Sequence, residues 1–131
     1  MIAPREVTAA PVLSVEGLTV SVRDRGVLRP LVQDLGFDLR PGETLAIAGE
    51  SGSGKSITSL ALMGLLPANV AVTAGRVLLD GTDLVRLPES RMRPLRGDRI
   101  AMIFQEPMTS LNPVQTVGAQ LTEAIRAHTP L

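Results

Sequence analysis

The stretch TLAIAGESGSGKS, residues 44–56, decides the fold of this chain. Residues 44–48 are apolar on both faces, which is typical of a buried parallel strand. The glycine-rich residues after them lead into a helical pattern, in which Ile57, Leu60 and Ala61 share one face and which Pro67 is predicted to end. A strand, a glycine-rich loop and a helix in this order predict an α/β domain.

Residues 49–56 match the phosphate-loop pattern G-x-x-x-x-G-K-[ST] at every position. Glycines let backbone N–H groups wrap an anion that side chains would keep at a distance. The positive end of the helix dipole and the Lys55 ammonium would add charge, and the Ser56 hydroxyl is suited to bind Mg²⁺. The predicted nucleotide-binding residues are Gly49, Glu50, Ser51, Gly52, Ser53, Gly54, Lys55, Ser56 and Ile57, although the Glu50 carboxylate is itself unsuited to phosphate.

Composition excludes several other classes of protein. The 131 residues carry 13 basic and 13 acidic side chains, no Cys, one His and two Phe. A disulfide scaffold and a cysteine zinc site are excluded, and zero net charge with so few aromatics argues against a nucleic-acid partner. Neither a membrane segment nor a secretory signal is visible, so the default compartment is the cytoplasm. Lys55 is the single lysine, in the position where the planar fork of arginine is a poor substitute.

The residues around the loop predict further elements. Residues 13–22 and 31–40 alternate in polarity and predict an antiparallel pair with a polar turn at 23–26 and a bulge at Gly17. Residues 75–80 and 99–104 predict strands, and both Phe37 and Phe104 are predicted to lie in the core. Residues 1–12 predict a flexible tail, Pro88 and Glu89 open a short helix, and Thr116 is a predicted N-cap of a last helix.

The segment MIFQEPMTSLNP, residues 102–113, resembles the Q-loop of ABC transporter ATP-binding subunits, in the form found among oligopeptide, dipeptide, nickel and glutathione importers. Residues 42–56 and 95–98 resemble the same group, and residues 116–128 are most similar to the glutathione importers. The resemblance implies an α/β phosphate-loop NTPase of the ABC ATPase type, with an N-terminal antiparallel β subdomain, that couples ATP hydrolysis to uptake of peptides or glutathione.

The resemblance also implies roles and partners. Lys55 and Gln105 take the catalytic positions, Ser56 and Gln105 approach Mg²⁺, and ATP is the nucleotide. Val22 occupies the position where the family usually stacks an aromatic residue on adenine. The implied partners are transporter membrane subunits, a second ATPase domain in a dimer and, indirectly, a solute-binding protein. The implied location is peripheral, at the cytoplasmic face of the bacterial inner membrane.

The family's signature segment, Walker B strand, catalytic Glu and switch His are expected downstream of the Q-loop and do not occur within these 131 residues. We therefore expect residues 13–131 to be the N-terminal part of a nucleotide-binding domain, an incomplete domain that binds nucleotide weakly, does not hydrolyse it alone and aggregates readily. Two alternatives stay open from the sequence. The chain could be a short non-hydrolytic module that binds nucleotide or a transporter, or another phosphate-loop NTPase such as a kinase or GTPase.

Overall fold

A four-stranded antiparallel sheet dominates the first part of the chain. The computed structural model describes residues 10–49, 52, 54–106 and 110–129. Its strands are β1 (Leu13–Asp24), β2 (Val27–Leu39), β3 (Val70–Leu79) and β4 (Thr82–Asp83). Its helices are α1 (Lys55–Met63), α2 (Glu89–Met92) and α3 (Val117–Arg126), with 3₁₀ turns at Leu84–Arg86 and Arg93–Leu95. The chain divides into two compact units, the first ending at Leu87 and the second starting at Pro88.

The β1–β2 hairpin confirms the predicted antiparallel pair. Asp24 pairs with Val27, and the two residues between them, Arg25 and Gly26, both have positive φ. Two-residue hairpin turns of type I′ require positive φ at both central positions, since that backbone twist matches the twist of the strands. The strand order is β2-β1-β3-β4, so β1 is bonded along both of its edges. The antiparallel pairing is therefore confirmed, but the predicted turn at 23–26 is too long, since residues 23 and 24 belong to β1 and β2 begins at Val27.

The register of β1 shifts at Gly17 toward both of its partners, which confirms the predicted bulge. Opposite it lies Gly75 of β3, with a φ of 88°. A Cβ atom added to Gly75 would come within 2.4 Å of the Gly17 carbonyl oxygen and 2.5 Å of the Glu16 carbonyl oxygen. The two backbones approach so closely that only glycine fits at this point of the sheet.

The core of the first unit lies between this sheet and α1. Its largest fully buried side chains are Val15, Leu18, Val20 and Val77. Helix α1 contacts β1, β2 and β3, and buries Thr58, Ala61 and Met63. The helix ends earlier than predicted, because Gly64 adopts a left-handed conformation (φ 67°) and caps it three residues before Pro67.

Residues 44–48 do not form the buried strand that their apolar pattern predicted. They belong to no strand, and Leu45 and Ile47 are both 46% exposed. A strand that is apolar on both faces needs hydrogen-bonded neighbours on both sides, and no described strand pairs with these residues. Residues 99–104 depart in the same way, with one isolated bridge between Arg96 and Ile100. The predicted core position of Phe104 is wrong, since this side chain is 54% exposed.

The second unit contains the short helices. Pro88 precedes α2 as predicted, and the Oγ1 atom of Thr116 accepts a hydrogen bond from the Ala119 N–H at 3.1 Å, which confirms the predicted N-cap of α3. Of the predicted tail, residues 1–9 lie outside the described residues, and the Val12 N–H donates to the Leu39 carbonyl at 2.8 Å. Among the described helices, none combines the length and the apolar character needed to cross a membrane.

Candidate phosphate-binding site

The glycine-rich loop leads into α1 at the predicted residue. Lys55 is the first residue of α1, and Gly54 before it is the N-cap with a left-handed backbone (φ 94°, ψ 5°). Gly52 also has positive φ, at 84°, and a Cβ atom there would meet nothing within 4 Å. These conformations explain the glycines in the motif, because other residues adopt positive φ at a cost. Glu50, Ser51 and Ser53 lie outside the described residues.

Strand β2 packs directly against the end of the loop. A Cβ atom on Gly54 would lie 2.9 Å from the Cγ2 atom of Val32 and 3.3 Å from the Leu31 carbonyl oxygen. Gly54 is therefore required for space as well as for conformation. Sequence reasoning missed this role of Val32 and Leu31, because a contact between β2 and the loop is tertiary and leaves no local pattern.

The Lys55 side chain reaches back across the loop. Its Nζ atom donates a hydrogen bond to the Gly49 carbonyl oxygen, which joins the last part of the motif to the first. This contact holds the positive charge of the ammonium over the loop backbone. A compact ammonium carries three donors, so the same group can also donate to an anion bound there.

The N-terminus of α1 is suited to an anion. The first hydrogen bond of the helix runs from the Thr58 N–H to the Gly54 carbonyl at 2.9 Å, so the N–H groups of Lys55, Ser56 and Ile57 precede the helical ladder. The first turn carries no acidic side chain that would repel phosphate. Ser56 is exposed and Ile57 is half-buried. Backbone donors, the helix dipole and the ammonium thus converge on one loop.

The donor set around Ser56 fits Mg²⁺ only in part. Within the described ranges, no three His, Asp or Glu side chains come together in a way that could hold a metal ion. A Mg²⁺ ion bound through the exposed Ser56 hydroxyl would take its other ligands from phosphate oxygens and water, as this ion commonly does in nucleotide sites.

Two further predicted site residues belong to other segments of the chain. Val22 is half-buried in β1, where it pairs with Arg29 on one side and Val70 on the other. Gln105 is exposed and lies outside helices and strands, in the second unit, whereas the loop belongs to the first. Pro107, Met108 and Thr109 of the predicted Q-loop are outside the described residues.

Gln120 organises the segment that follows Gln105, a role that sequence reasoning missed. Its amide Nε2 donates to the Asn112 carbonyl at 3.0 Å, and its Oε1 accepts from the Asn112 N–H at 2.8 Å. The same Nε2 lies 3.1 Å from the Gln115 carbonyl oxygen. The Gln120 amide thus accepts from the N–H of Asn112 and donates to its carbonyl. These hydrogen bonds hold residues 112–116 at the start of α3. A single glutamine in a helical pattern gave no sequence signal for this role.

Comparison with known proteins identifies the family. The ABC transporter family profile matches residues 32–129, which is most of the chain. The chain belongs to the ABC transporter family. This membership excludes the kinase and GTPase alternatives that the loop motif alone left open. It also confirms the resemblance drawn from the Q-loop segment and the phosphate loop.

Among curated ABC proteins, the chain is 54% identical to the dipeptide transport ATP-binding protein DppD of Bacillus subtilis, over 89% of this chain and 35% of that protein. It is 48% identical to the oligopeptide transport ATP-binding protein OppD of Haemophilus influenzae, over 90% of this chain and 36% of that protein. It is 46% identical to the peptidoglycan transport ATP-binding protein YejF of Agrobacterium fabrum, over 95% and 23%. The chain thus spans about a quarter to about a third of the length of these relatives.

Among solved structures, the dimeric bacterial ABC transporter cassette MJ0796 superposes with a TM-score of 0.76 at 22% identity, over 91% of this chain and 49% of that one. This likeness shows the ABC ATPase fold. The four-stranded antiparallel sheet described above is the predicted N-terminal β subdomain of that fold, and the structure holds part of the domain.

Proposed function

We propose that this chain binds ATP through the loop of residues 49–57, as the nucleotide-binding part of a peptide importer. The observation that carries the proposal is the arrangement at the start of α1. Gly54 has a left-handed backbone that only glycine can adopt in the available space, and the Lys55 ammonium reaches across the loop to Gly49. Such a loop binds the phosphates of a nucleotide through its N–H groups and its lysine.

The residues take separate parts in the proposal. The N–H groups of the loop and of the first turn of α1 bind phosphate oxygens, and the Lys55 ammonium neutralises the charge of the β- and γ-phosphates. Ser56 would hold Mg²⁺, which when bound would offset the negative charge of the phosphates. Gln105 orients water near the γ-phosphate, since a neutral amide both donates and accepts hydrogen bonds. Val22 contacts adenine through apolar surface alone.

The importer assignment is supported by the relatives, whose names refer to dipeptide and oligopeptide transport. We propose peptides as the solute class of the parent protein, with the tripeptide glutathione as the finer candidate from the resemblance of residues 116–128. The proposed partners are transporter membrane subunits, a second ATPase domain and, indirectly, a solute-binding protein. The proposed location is the cytoplasmic face of the inner membrane. Disruption of the gene should lower uptake of labelled peptides, and unchanged uptake of di-, tri- and oligopeptides would reject this solute class.

We also propose that the 131 residues alone bind ATP without hydrolysing it. Phosphoryl transfer needs the metal and the attacking water to be positioned together. The family places those tasks on a Walker B carboxylate, a catalytic Glu and a switch His, and the resemblance assigns no residue of this sequence to them. Release of inorganic phosphate from ATP by the purified chain at a rate above that of a Lys55→Ala variant would contradict this point.

The decisive experiment measures ATP affinity with and without the Lys55 ammonium. The chain is fused to a soluble carrier protein, and binding is measured by calorimetry with Mg²⁺ present. We expect Lys55→Ala to weaken ATP binding by more than about tenfold, the effect of losing one charge-assisted hydrogen bond. Arg29→Ala is the charge-matched control, since Arg29 is exposed on β2. Equal affinities for the parent chain and Lys55→Ala would overturn the proposed binding mode.

A further inference from the structure

We propose that Thr58 is a positioning residue for the phosphate-binding loop, an inference that rests on the proposed nucleotide binding. Thr58 belongs to α1, three residues after Lys55, and is 3% exposed. Its Oγ1 atom donates a hydrogen bond to the Gly54 carbonyl at 2.8 Å. Its backbone N–H donates to the same oxygen at 2.9 Å. A single buried residue thus uses both of its donors to hold one carbonyl of the loop.

The orientation of that carbonyl sets the direction of a phosphate donor. The chain has no cis peptide bonds among its described residues, so the Gly54–Lys55 peptide is trans and planar. In such a peptide the C=O and N–H groups point in opposite directions. Thr58 draws the Gly54 carbonyl toward the body of α1, and the Lys55 N–H is consequently directed out of the helix toward the loop. Thr58 therefore aims the first backbone donor of the site without touching the nucleotide.

Packing against β2 makes this control effective. Val32 and Leu31 occupy the space beside the α-carbon of Gly54 and so limit its movement toward β2, while the hydrogen bonds from Thr58 oppose rotation of the peptide plane itself. The hydroxyl of Thr58 adds a restraint that an ordinary helical hydrogen bond would lack, since it occupies the second lone pair of the same oxygen. Loss of that hydroxyl leaves the N-cap peptide with one hydrogen bond at the point where helices fray.

Ser59 offers a matched control. Its Oγ atom also bonds back by four residues, to the Lys55 carbonyl at 3.3 Å, and it is half-buried in the same helix. That carbonyl belongs to the Lys55–Ser56 peptide, whose N–H is also a donor of the site, but at 3.3 Å the contact is long for a hydroxyl hydrogen bond and should restrain its peptide much less than Thr58 does. If hydroxyl back-bonding mattered only for the stability of α1, Thr58 and Ser59 would behave alike.

The test uses the carrier fusion and two ligands, ATP and inorganic tripolyphosphate, which lacks the base and the sugar. We expect Thr58→Val to lower the affinity for both ligands by about tenfold. This is the scale of one charge-assisted hydrogen bond, here the one from the Lys55 N–H to phosphate. Thr58→Ser should restore the affinity to within about twofold, because its hydroxyl is retained. Ser59→Ala should bind like the parent chain. In ¹⁵N-labelled protein, addition of tripolyphosphate should shift the Lys55 amide resonance in the parent chain and in Thr58→Ser. In Thr58→Val the same addition should leave this resonance unshifted.

The outcomes separate the two proposals. If Lys55→Ala binds as tightly as the parent chain, nucleotide binding through this loop is wrong. If Lys55→Ala loses binding while Thr58→Val keeps parental affinity and the Lys55 amide shift, the positioning role is overturned. Thr58→Ala, which removes the same hydroxyl while favouring helix, is the second variant in case Thr58→Val unfolds. Equal losses in Thr58→Val and Ser59→Ala would assign the effect to helix stability and would likewise reject the positioning role.

Discussion

Strand β1 and residues 44–48 both carry apolar side chains in patterns that predict burial in a sheet, yet they end in opposite environments. In β1, Leu18 and Val20 are fully buried, whereas Leu45 and Ile47 are each about half exposed. The difference lies in the hydrogen-bonding partners. Strand β1 has β2 on one edge and β3 on the other, while no described strand pairs with residues 44–48. An apolar pattern indicates that a segment needs to be buried, and paired neighbours decide whether it forms a strand.

The second unit extends the comparison. In residues 88–131, the helix α3 carries Val117, Leu121 and Ile125 at helical spacing, and all three are more than half exposed. Ile103 is 99% exposed. Met92 is buried in the same unit. The apolar periodicity thus predicted helix α3 correctly, but the apolar face of the helix is not buried.

The largest expected effect comes from breaking the pairing that buries β1. Gly75→Ala places a methyl group against the Gly17 and Glu16 carbonyls, and we expect a loss of more than about 4 kcal/mol in the free energy of unfolding, because overlap adds to the strain of positive φ. Gly81→Ala is the matched control, since Gly81 has φ 85° but open space around it. It should cost about 1–2 kcal/mol from strain alone. Amide exchange of β1 in the carrier fusion measures both, and equal effects would refute the close-approach argument.

The next effect compares a buried with an exposed leucine. Leu18→Ala should lower the free energy of unfolding by about 3 kcal/mol, since it removes a fully buried side chain and leaves a cavity. Leu121→Ala, at a residue of α3 that is 58% exposed, should change the free energy of unfolding by less than about 0.5 kcal/mol. Urea denaturation of the two variants gives the comparison. A cost at Leu121 equal to that at Leu18 would mean that α3 is buried in solution.

Exposed apolar residues should affect association more than stability. We expect the chain without a carrier to aggregate or to melt broadly, because unpaired apolar segments are aggregation sites. Ile103→Lys should slow aggregation, followed by light scattering, while changing the free energy of unfolding by less than about 0.5 kcal/mol. Val77→Lys, at a fully buried position, should unfold the sheet instead. A sharp, cooperative melt of the unmodified chain would contradict the expectation of marginal stability.

The smallest effect concerns a partly exposed ion pair in the second unit, between Arg96 and Glu89. A hydrogen bond from Arg96, whose Nη2 lies 2.9 Å from Oε2 of Glu89, lowers the pKa of the Glu89 carboxyl below its ordinary value of 4.5. Desolvation opposes the shift, and the charges of Arg96 and Arg93 add to it. Because the folded-state pKa is the lower one, the stabilising effect is present above the ordinary value and is lost as the pH falls through the lowered value.

An NMR titration of the Glu89 carboxyl carbon checks this directly. Arg96→Gln should return the pKa of Glu89 toward its ordinary value, while Arg91→Gln should leave the lowered pKa nearly unchanged. If the pKa of Glu89 is the same in Arg96→Gln as in the parent chain, the ion pair does not form in solution. Since the Glu89 side chain is exposed to solvent, salt should weaken the shift of its pKa.

Local patterns predicted the local elements. The β1–β2 pairing followed from alternation, although the turn predicted at 23–26 is confined to residues 25 and 26, and the start of α1 followed from the loop motif. The length of β3 and its pairing with β1 were beyond local reasoning, because the predicted strand at 75–80 begins at Val70 in the structure and pairs with residues far away in sequence. The prediction of a buried strand at residues 44–48 was wrong, because burial depends on neighbouring strands that the sequence of one segment does not reveal.

The candidate site divides in the same way. The positions of Gly54 and Lys55 at the start of α1 followed from the spacing of the motif. The parts played by Val32 beside Gly54 and by Thr58 beneath it were missed, because they depend on tertiary packing and on the orientation of one peptide. The roles of Ser56, Gln105 and Val22 stay predictions, since they concern ligands rather than contacts within the chain.

The central place of β1 has a consequence for the timescale on which the loop forms. Hairpin β1–β2 closes through a two-residue turn, and such hairpins form in about 1–10 μs. When β3 pairs with β1, it closes residues 40–69, which include the loop and α1, into a circuit. The circuit begins after Leu39, which pairs with Leu13, and ends at Val70, which pairs with Val22. Closing a long circuit is the slower event. We therefore expect residues 40–69, with the phosphate-binding loop among them, to be enclosed only after the β1–β2 hairpin has formed.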